Sequence, residues 1–304
     1  MTPPNRFISL LRQAARTRRP LLLDGAIGTM LDSEGLVTED APWSGLVPLQ
    51  HSDELTRLHR RYIQAGAQVI TTCTFRTSLF MFEKYSLPQG LWLESAVAAV
   101  QAAKQAITSQ QVAVAGSVGP LEDCFSPQSS LDAQDAYQFH LPLLRLLAEE
   151  GVDVLWLETF GHSLEIEGAL RAAEQVAAET EIPFACSVTT RRNGCLLDGT
   201  ALEQTLERAV SVGCSAFLVN CIPPNHVSAA LSRLQHAGIP IGVYANLGVP
   251  EPTQDWEGDA FLPSRSYAET VEQWFSQNIE LIGACCGSTP GHIAALAEMI
   301  RRTS

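Results

Sequence analysis

Glu150-Gly151-Val152-Asp153-Val154-Leu155-Trp156 holds the unit from which this chain is built: a helix end, a glycine and an apolar strand. Glycine just past a helix is the expected left-handed cap, because it adopts that conformation without steric cost. The unit recurs at Ala65-Gly66-Ala67-Gln68-Val69-Ile70-Thr71, at Val212-Gly213-Cys214-Ser215-Ala216-Phe217-Leu218 and at Ala237-Gly238-Ile239-Pro240-Ile241-Gly242-Val243. Strands that alternate with helices imply a parallel sheet.

Eight apolar runs read as strands, at 21–23, 69–73, 112–115, 154–157, 184–188, 216–220, 239–244 and 281–284. Amphipathic stretches lie between them. Leu55, Leu58, Tyr62 and Ala65 share one helical face, as do Leu202, Leu206, Ala209 and Val210. The last helix opens with Thr289 as N-cap and Pro290 at its first position, and Ile293, Leu296, Ala297 and Ile300 form its inner stripe. Eight such units predict an α/β fold, a (β/α)8 TIM barrel, as a single domain over 1–304 with its active site at the C-terminal strand ends. A doubly wound open sheet is the alternative. No Gly-x-Gly-x-x-Gly opens a helix and no Walker-type loop is present. Gly116-Ser117-Val118-Gly119-Pro120 reads as a tight turn after strand three.

Composition narrows the function. The 304 residues carry a formal charge of -13, which argues against nucleic acid and anionic membrane surfaces as partners. No apolar run approaches a membrane span. Residues 1–20 carry Arg6, Arg12, Arg16, Arg18 and Arg19 with no acid before Asp24, a pattern shared with transit leaders. A surface helix leading into strand one is the preferred reading. Eight cysteines in a chain this long do not form a disulfide scaffold, and several sit inside apolar strands. A reducing, cytoplasmic setting follows.

What stands at the strand ends carries the chemistry. Asp24-Gly25 follows strand one, Glu158-Thr159 strand four, Asn220-Cys221 strand six, Ala245-Asn246 strand seven and Cys285-Cys286 strand eight. Cys221, Cys285 and Cys286 would offer three thiols around one point. Three protein ligands with a fourth position open is the arrangement of a catalytic zinc. Buried packing for the cysteines, a solvated rim position for Glu158 and a cap role for Asp24 are the structural alternatives. Cys73 reads as packing, Cys124, Cys195 and Cys214 as incidental, and the seven histidines as surface or cap residues.

Asp24-Gly25-Ala26-Ile27-Gly28-Thr29, Gly116-Ser117-Val118-Gly119-Pro120, Glu158-Thr159, Val219-Asn220-Cys221, Tyr244-Ala245-Asn246 and Gly283-Ala284-Cys285-Cys286-Gly287-Ser288-Thr289-Pro290 together resemble the homocysteine S-methyltransferase family, from about residue 21 to 300. The resemblance implies a zinc barrel that methylates L-homocysteine to methionine with a small methyl donor. It implies zinc on Cys221, Cys285 and Cys286, and the homocysteine ammonium on Asp24 and Glu158. It places the carboxylate on backbone amides near Gly25, has Asn246 approach the metal when substrate is absent, and sets Trp43 near the rim.

The last barrel helix ends close to residue 304, which leaves no room in this polypeptide for a cobalamin or folate domain. S-methylmethionine, or S-adenosylmethionine as a secondary donor, is therefore expected. Leu247-Gly248-Val249-Pro250-Glu251-Pro252 departs from the Ser-Gly continuation common in relatives, and Asp255, Trp256, Glu257 and Asp259 make the next loop acidic. The readings left open are the same zinc–thiolate chemistry with betaine or selenohomocysteine, and a non-catalytic zinc barrel.

Overall fold

The computed structural model describes residues 4–38, 41–109, 111–248 and 262–303. Its strands are β1 (Leu21–Leu22), β2 (Val69–Thr71), β3 (Ala113–Val118), β4 (Val154–Phe160), β5 (Phe184–Val188), β6 (Phe217–Asn220), β7 (Ile241–Ala245) and β8 (Leu281–Ala284). From β2 to β8 each strand pairs in parallel with the next, and β1 pairs with β8. A parallel bridge between Leu23 and Val69 closes the remaining gap, and Asp24 N donates to Val69 O at 2.9 Å beside it. The result is a single-domain (β/α)8 barrel.

The strands are buried on both faces, as parallel strands covered by helices must be. Outward side chains such as Val114, Leu155 and Leu157 join the large core beneath the helices. Inward ones, among them Ala113, Ala115, Val154, Trp156 and Leu218, fill the barrel interior. The last helix, Pro290–Arg302, has the expected start. Thr289 is its N-cap, and His292 completes a capping box with it.

Several expectations change. The N-terminal helix Arg6–Thr17 leads into β1 with one face exposed, as expected, but it is more than a surface element. Phe7, Leu10, Leu11 and Ala14 form one apolar face, and that face joins the barrel-interior cluster. Phe7 is 0% exposed and meets the Trp156 ring edge-on at 5.9 Å. Asn5 caps the helix through Oδ1, and Arg6 donates to Val112 O at 2.9 Å. The helix closes the floor of the barrel. Its 7-10-11-14 spacing is visible in the sequence, but the open barrel end that accepts it exists only after closure.

Gly116, Ser117 and Val118 belong to β3 and pair with Leu155, Trp156 and Leu157, so they are strand and not turn. Glu158 and Thr159 likewise lie inside β4, where the register shifts and Thr159 takes φ +64°. Val210 is exposed, because it sits one residue, about 100°, past the buried Ala209. His59, His140, His162, His226 and His292 are buried. His140 Nε2 faces Glu165 Oε1 at 3.3 Å inside the core, a pairing across sequence that spacing does not reveal. No helix among the described residues is long and apolar enough to cross a membrane.

Phe7→Ala removes a fully buried ring from the barrel floor, and a stability loss of about 3–5 kcal/mol is expected in chemical denaturation. A loss below about 1 kcal/mol, the scale of surface substitutions, would show that this helix does not plug the barrel.

Candidate active site

β6 and β8 flank β7, so the residues following them converge at one rim. Cys221, Cys285 and Cys286 place their Sγ atoms within 4.8 Å of one another, and Cys221 Sγ lies 3.6 Å from Cys286 Sγ. Tetrahedral coordination with metal–sulfur bonds of about 2.3 Å spaces its sulfurs about 3.8 Å apart. All eight cysteines are free thiols. The donor set therefore fits a metal ion.

The backbone holds these sulfurs by short-range geometry. Cys221 N donates to Tyr244 O at 3.0 Å, and its φ of +54° is a strained conformation for a residue with a Cβ. Cys285 N donates to Ala245 O at 2.7 Å. Leu247 N and Gly248 N donate to Cys286 O at 2.7 and 3.0 Å. A Cβ on Gly287 would fall 2.2 Å from Gly248 N, so only glycine permits this close approach.

Three crowded thiols share their protons unequally. Hydrogen bonds from Cys221 and Cys285 hold Cys286 well below the usual thiol range. Hydrogen bonding to Cys285 and Cys286, with burial, holds Cys221 well above it. At Cys285 a bond with Cys221 pulls down, but its bond to Cys286 and burial outweigh that pull and leave it high. One thiolate is thus favoured and two are resisted. A cation bound among them would release the other protons.

Two carboxylates face the same cavity of about 940 Å³. Asp24 Oδ2 accepts from Thr71 N at 2.8 Å and from Thr71 Oγ1 at 3.2 Å. Glu158 Oε2 accepts from Ser117 Oγ at 2.6 Å. Burial pushes Asp24 well above the usual carboxylate range, and the charge of Glu158 adds to this. Burial pushes Glu158 up to about 6. Among the described residues neither forms an ion pair with a basic side chain.

Gly25 and Asn246 also line the cavity, so all seven site residues read from the sequence meet there. Asn246 Nδ2 donates to Cys221 Sγ at 3.5 Å, and its Oδ1 accepts from Gly248 N at 3.0 Å. A Cβ on Gly25 would sit 2.7 Å from Ser288 Oγ, the atom that accepts from Ala26 N. Trp43 lines the cavity as well. Cys73 is buried, donates to Ser44 O and has its thiol pushed up to about 12 by burial.

Sequence reading missed several residues. Thr71 and Ser117 orient the two carboxylates, and their position at strand ends was the available signal. Trp156 and Tyr244 line the cavity, with Trp156 Nε1 donating to Tyr244 Oη at 3.0 Å. Cys124, read as incidental, and Arg76 also line the cavity. The acidic loop with Asp255, Trp256, Glu257 and Asp259 lies outside the described residues.

Comparison with known proteins shows the family. The chain is 29% identical over 299 residues to a homocysteine S-methyltransferase of Escherichia coli (strain K12), covering 91% of this chain and 94% of that one. It is 24% identical over 333 residues to a selenocysteine Se-methyltransferase of Brassica oleracea var. italica, covering 98% and 94%. The metallated crystal structure of the homocysteine methyltransferase MmuM from Escherichia coli superposes with a TM-score of 0.78 at 26% identity, covering 95% of this chain and 99% of that one. Residues 21–300 match the model of the homocysteine S-methyltransferase family, and the chain belongs to that family.

Proposed function

We propose that this chain transfers a methyl group from a sulfonium donor to the thiol of L-homocysteine, giving methionine, with a zinc ion held by Cys221, Cys285 and Cys286. One observation carries the reading: three converging thiols share one cavity with two carboxylates that, among the described residues, have no basic partner. That pairing suits a substrate with a thiol at one end and an ammonium at the other. An all-sulfur set with a fourth position left open suits zinc.

Bound there, zinc supplies the positive centre that keeps a substrate thiol deprotonated near neutral pH. The protein's own residues do the rest. Asp24 and Glu158 hold the ammonium, whose positive charge offsets part of the cost that burial places on ionising these carboxyls. Thr71 and Ser117 fix the direction of those carboxylates. Asn246 stands against Cys221 and gives way as the substrate sulfur arrives. Gly25 leaves room for the substrate carboxylate beside the backbone.

The reaction is a single displacement. A new bond forms between the homocysteine sulfur and the methyl carbon while the donor's sulfur–methyl bond breaks. The thiol proton leaves to solvent, and the donor's positive charge disappears as it departs as a neutral thioether. Charge is lost on the way to the transition state, so the apolar floor of Leu23, Val69 and Trp156 favours it. Alignment of the two sulfurs supplies much of the remainder. The free thiols suit a reducing, cytoplasmic setting. The likeness to a plant selenocysteine Se-methyltransferase supports a selenol as second acceptor.

Zinc-loaded protein is expected to form methionine from homocysteine with S-methylmethionine, more slowly with S-adenosylmethionine, and not with betaine. Cys286→Ala should lose both the metal and the turnover. Stoichiometric zinc without turnover on any donor would overturn the enzymatic reading.

Glu158 gives a second test. Its carboxyl stands at about 6 in the fold against an ordinary 4.5, so ionising it costs folding stability above pH 4.5. That cost grows until the pH passes about 6. Glu158→Gln should therefore stabilise the substrate-free protein by about 1–2 kcal/mol at pH 7.5 and by nothing at pH 4. The same variant should raise the homocysteine KM on the order of 10–100-fold, the worth of one charged hydrogen bond. In the wild type that KM should rise as pH falls below about 6. Thermal melts across pH and steady-state kinetics read both effects, and an unchanged KM would remove Glu158 from the ammonium site.

A further inference from the structure

Arg76 is a charged cavity residue that the reaction above does not use. It is half-buried and lines the same cavity as the three thiols. Its Nη1 donates to Pro120 O at 3.2 Å and to Glu122 O at 2.9 Å, and its Nη2 donates to Cys124 Sγ at 3.6 Å. Its guanidinium lies over the Phe75 ring, 4.9 Å from the centroid. All of these partners are uncharged as they stand. Burial keeps the Cys124 thiol protonated, pushed up to about 12.

Among the described residues no carboxylate forms an ion pair with Arg76. The neighbouring acids are turned elsewhere. Glu122 accepts from Ser130 N and Oγ at 2.9 and 2.5 Å, and Asp123 Oδ1 accepts from Phe125 N at 3.0 Å. A guanidinium has five N–H donors, so this one has donors to spare. A half-buried cation without a counter-ion is costly unless an anion completes it.

The mount is rigid. A Cβ on Gly119 would fall 2.6 Å from Phe75 O, so Phe75 lies directly on the strand-three turn. That turn is pinned from behind by Glu165, 1% exposed, whose Oε1 accepts from Leu121 N at 2.7 Å. A donor group fixed this way binds a planar anion with little ordering cost.

The methyl donor brings a positive charge into this cavity, and Arg76 would repel a simple cation. We propose that Arg76 anchors a carboxylate of the methyl donor, so that the enzyme selects sulfonium donors that also carry a carboxylate. The inference rests on the methyl-transfer reading above. The donor's onium end then points to the thiols and its carboxylate to Arg76. Homocysteine stays with Asp24 and Glu158.

Equilibrium binding to the zinc-loaded full chain tests this, with S-methylmethionine and its carboxamide as probes against wild type, Arg76→Gln and Arg76→Lys. Loss of a charged, bidentate contact should weaken S-methylmethionine binding on the order of 10–100-fold in Arg76→Gln and less in Arg76→Lys. The carboxamide should bind poorly to wild type and lose nothing further in Arg76→Gln. The homocysteine affinity and the zinc content should stay unchanged. Equal losses for both probes, a weakened homocysteine affinity, or no loss at all would each overturn the proposal. Turnover is followed alongside: a wild type that binds the probes without making methionine sinks the methyl-transfer reading, while the binding comparison still decides the role of Arg76.

Discussion

Three sulfur atoms within 4.8 Å of one another cannot all be thiolates unless a cation sits among them. Much of the rim serves this crowding. The left-handed turn at Cys221, the glycine-only contact between Gly287 and Gly248, and the amides on Cys286 O hold the sulfurs closer than mutual repulsion would allow once they ionise. The fold is the frame that brings two strand ends, 64 residues apart in sequence from Cys221 to Cys285, to one point.

The same cavity holds the mirror-image conflict. Asp24 and Glu158 are held by hydroxyl and amide donors but, among the described residues, pair with no basic side chain, and burial raises both toward the neutral form. Two carboxylates and three crowded thiols lining one cavity each suit a positively charged ligand. The substrate-free barrel thus stores a cost that binding relieves, which is how a site holds specificity for a molecule carrying the missing charges. Below the cavity, Trp156 stands between Phe7 of the floor helix and Tyr244, so packing at the closed end of the barrel supports the residues at its open end.

Strand positions were legible because a strand buried on both faces must be apolar throughout, and glycine caps marked where each began. The unit read at Gly151 ran as expected into β4, and Thr289 and Pro290 started the last helix where their chemistry requires. The strand ends were less legible. Gly116 and Glu158 look like turn and rim residues in isolation, yet Gly116 pairs with Leu155 in the sheet and Glu158 lies inside β4, bonded by Ser117 Oγ from β3. The floor helix was misread for the same reason: an amphipathic stripe shows that a face is buried but not against what.

The sequence by itself determined the number and order of the units, the thiols, carboxylates and glycine cap positions, and through them the family. These are local facts, written in the spacing of apolar residues and in side-chain chemistry. Only the tertiary structure decided that the N-terminal helix plugs the barrel, that Thr71 and Ser117 hold the carboxylates, and that Arg76 lines the same cavity as the thiols. Those outcomes depend on closure of the sheet, which joins residues by distance across the barrel and not by distance along the chain.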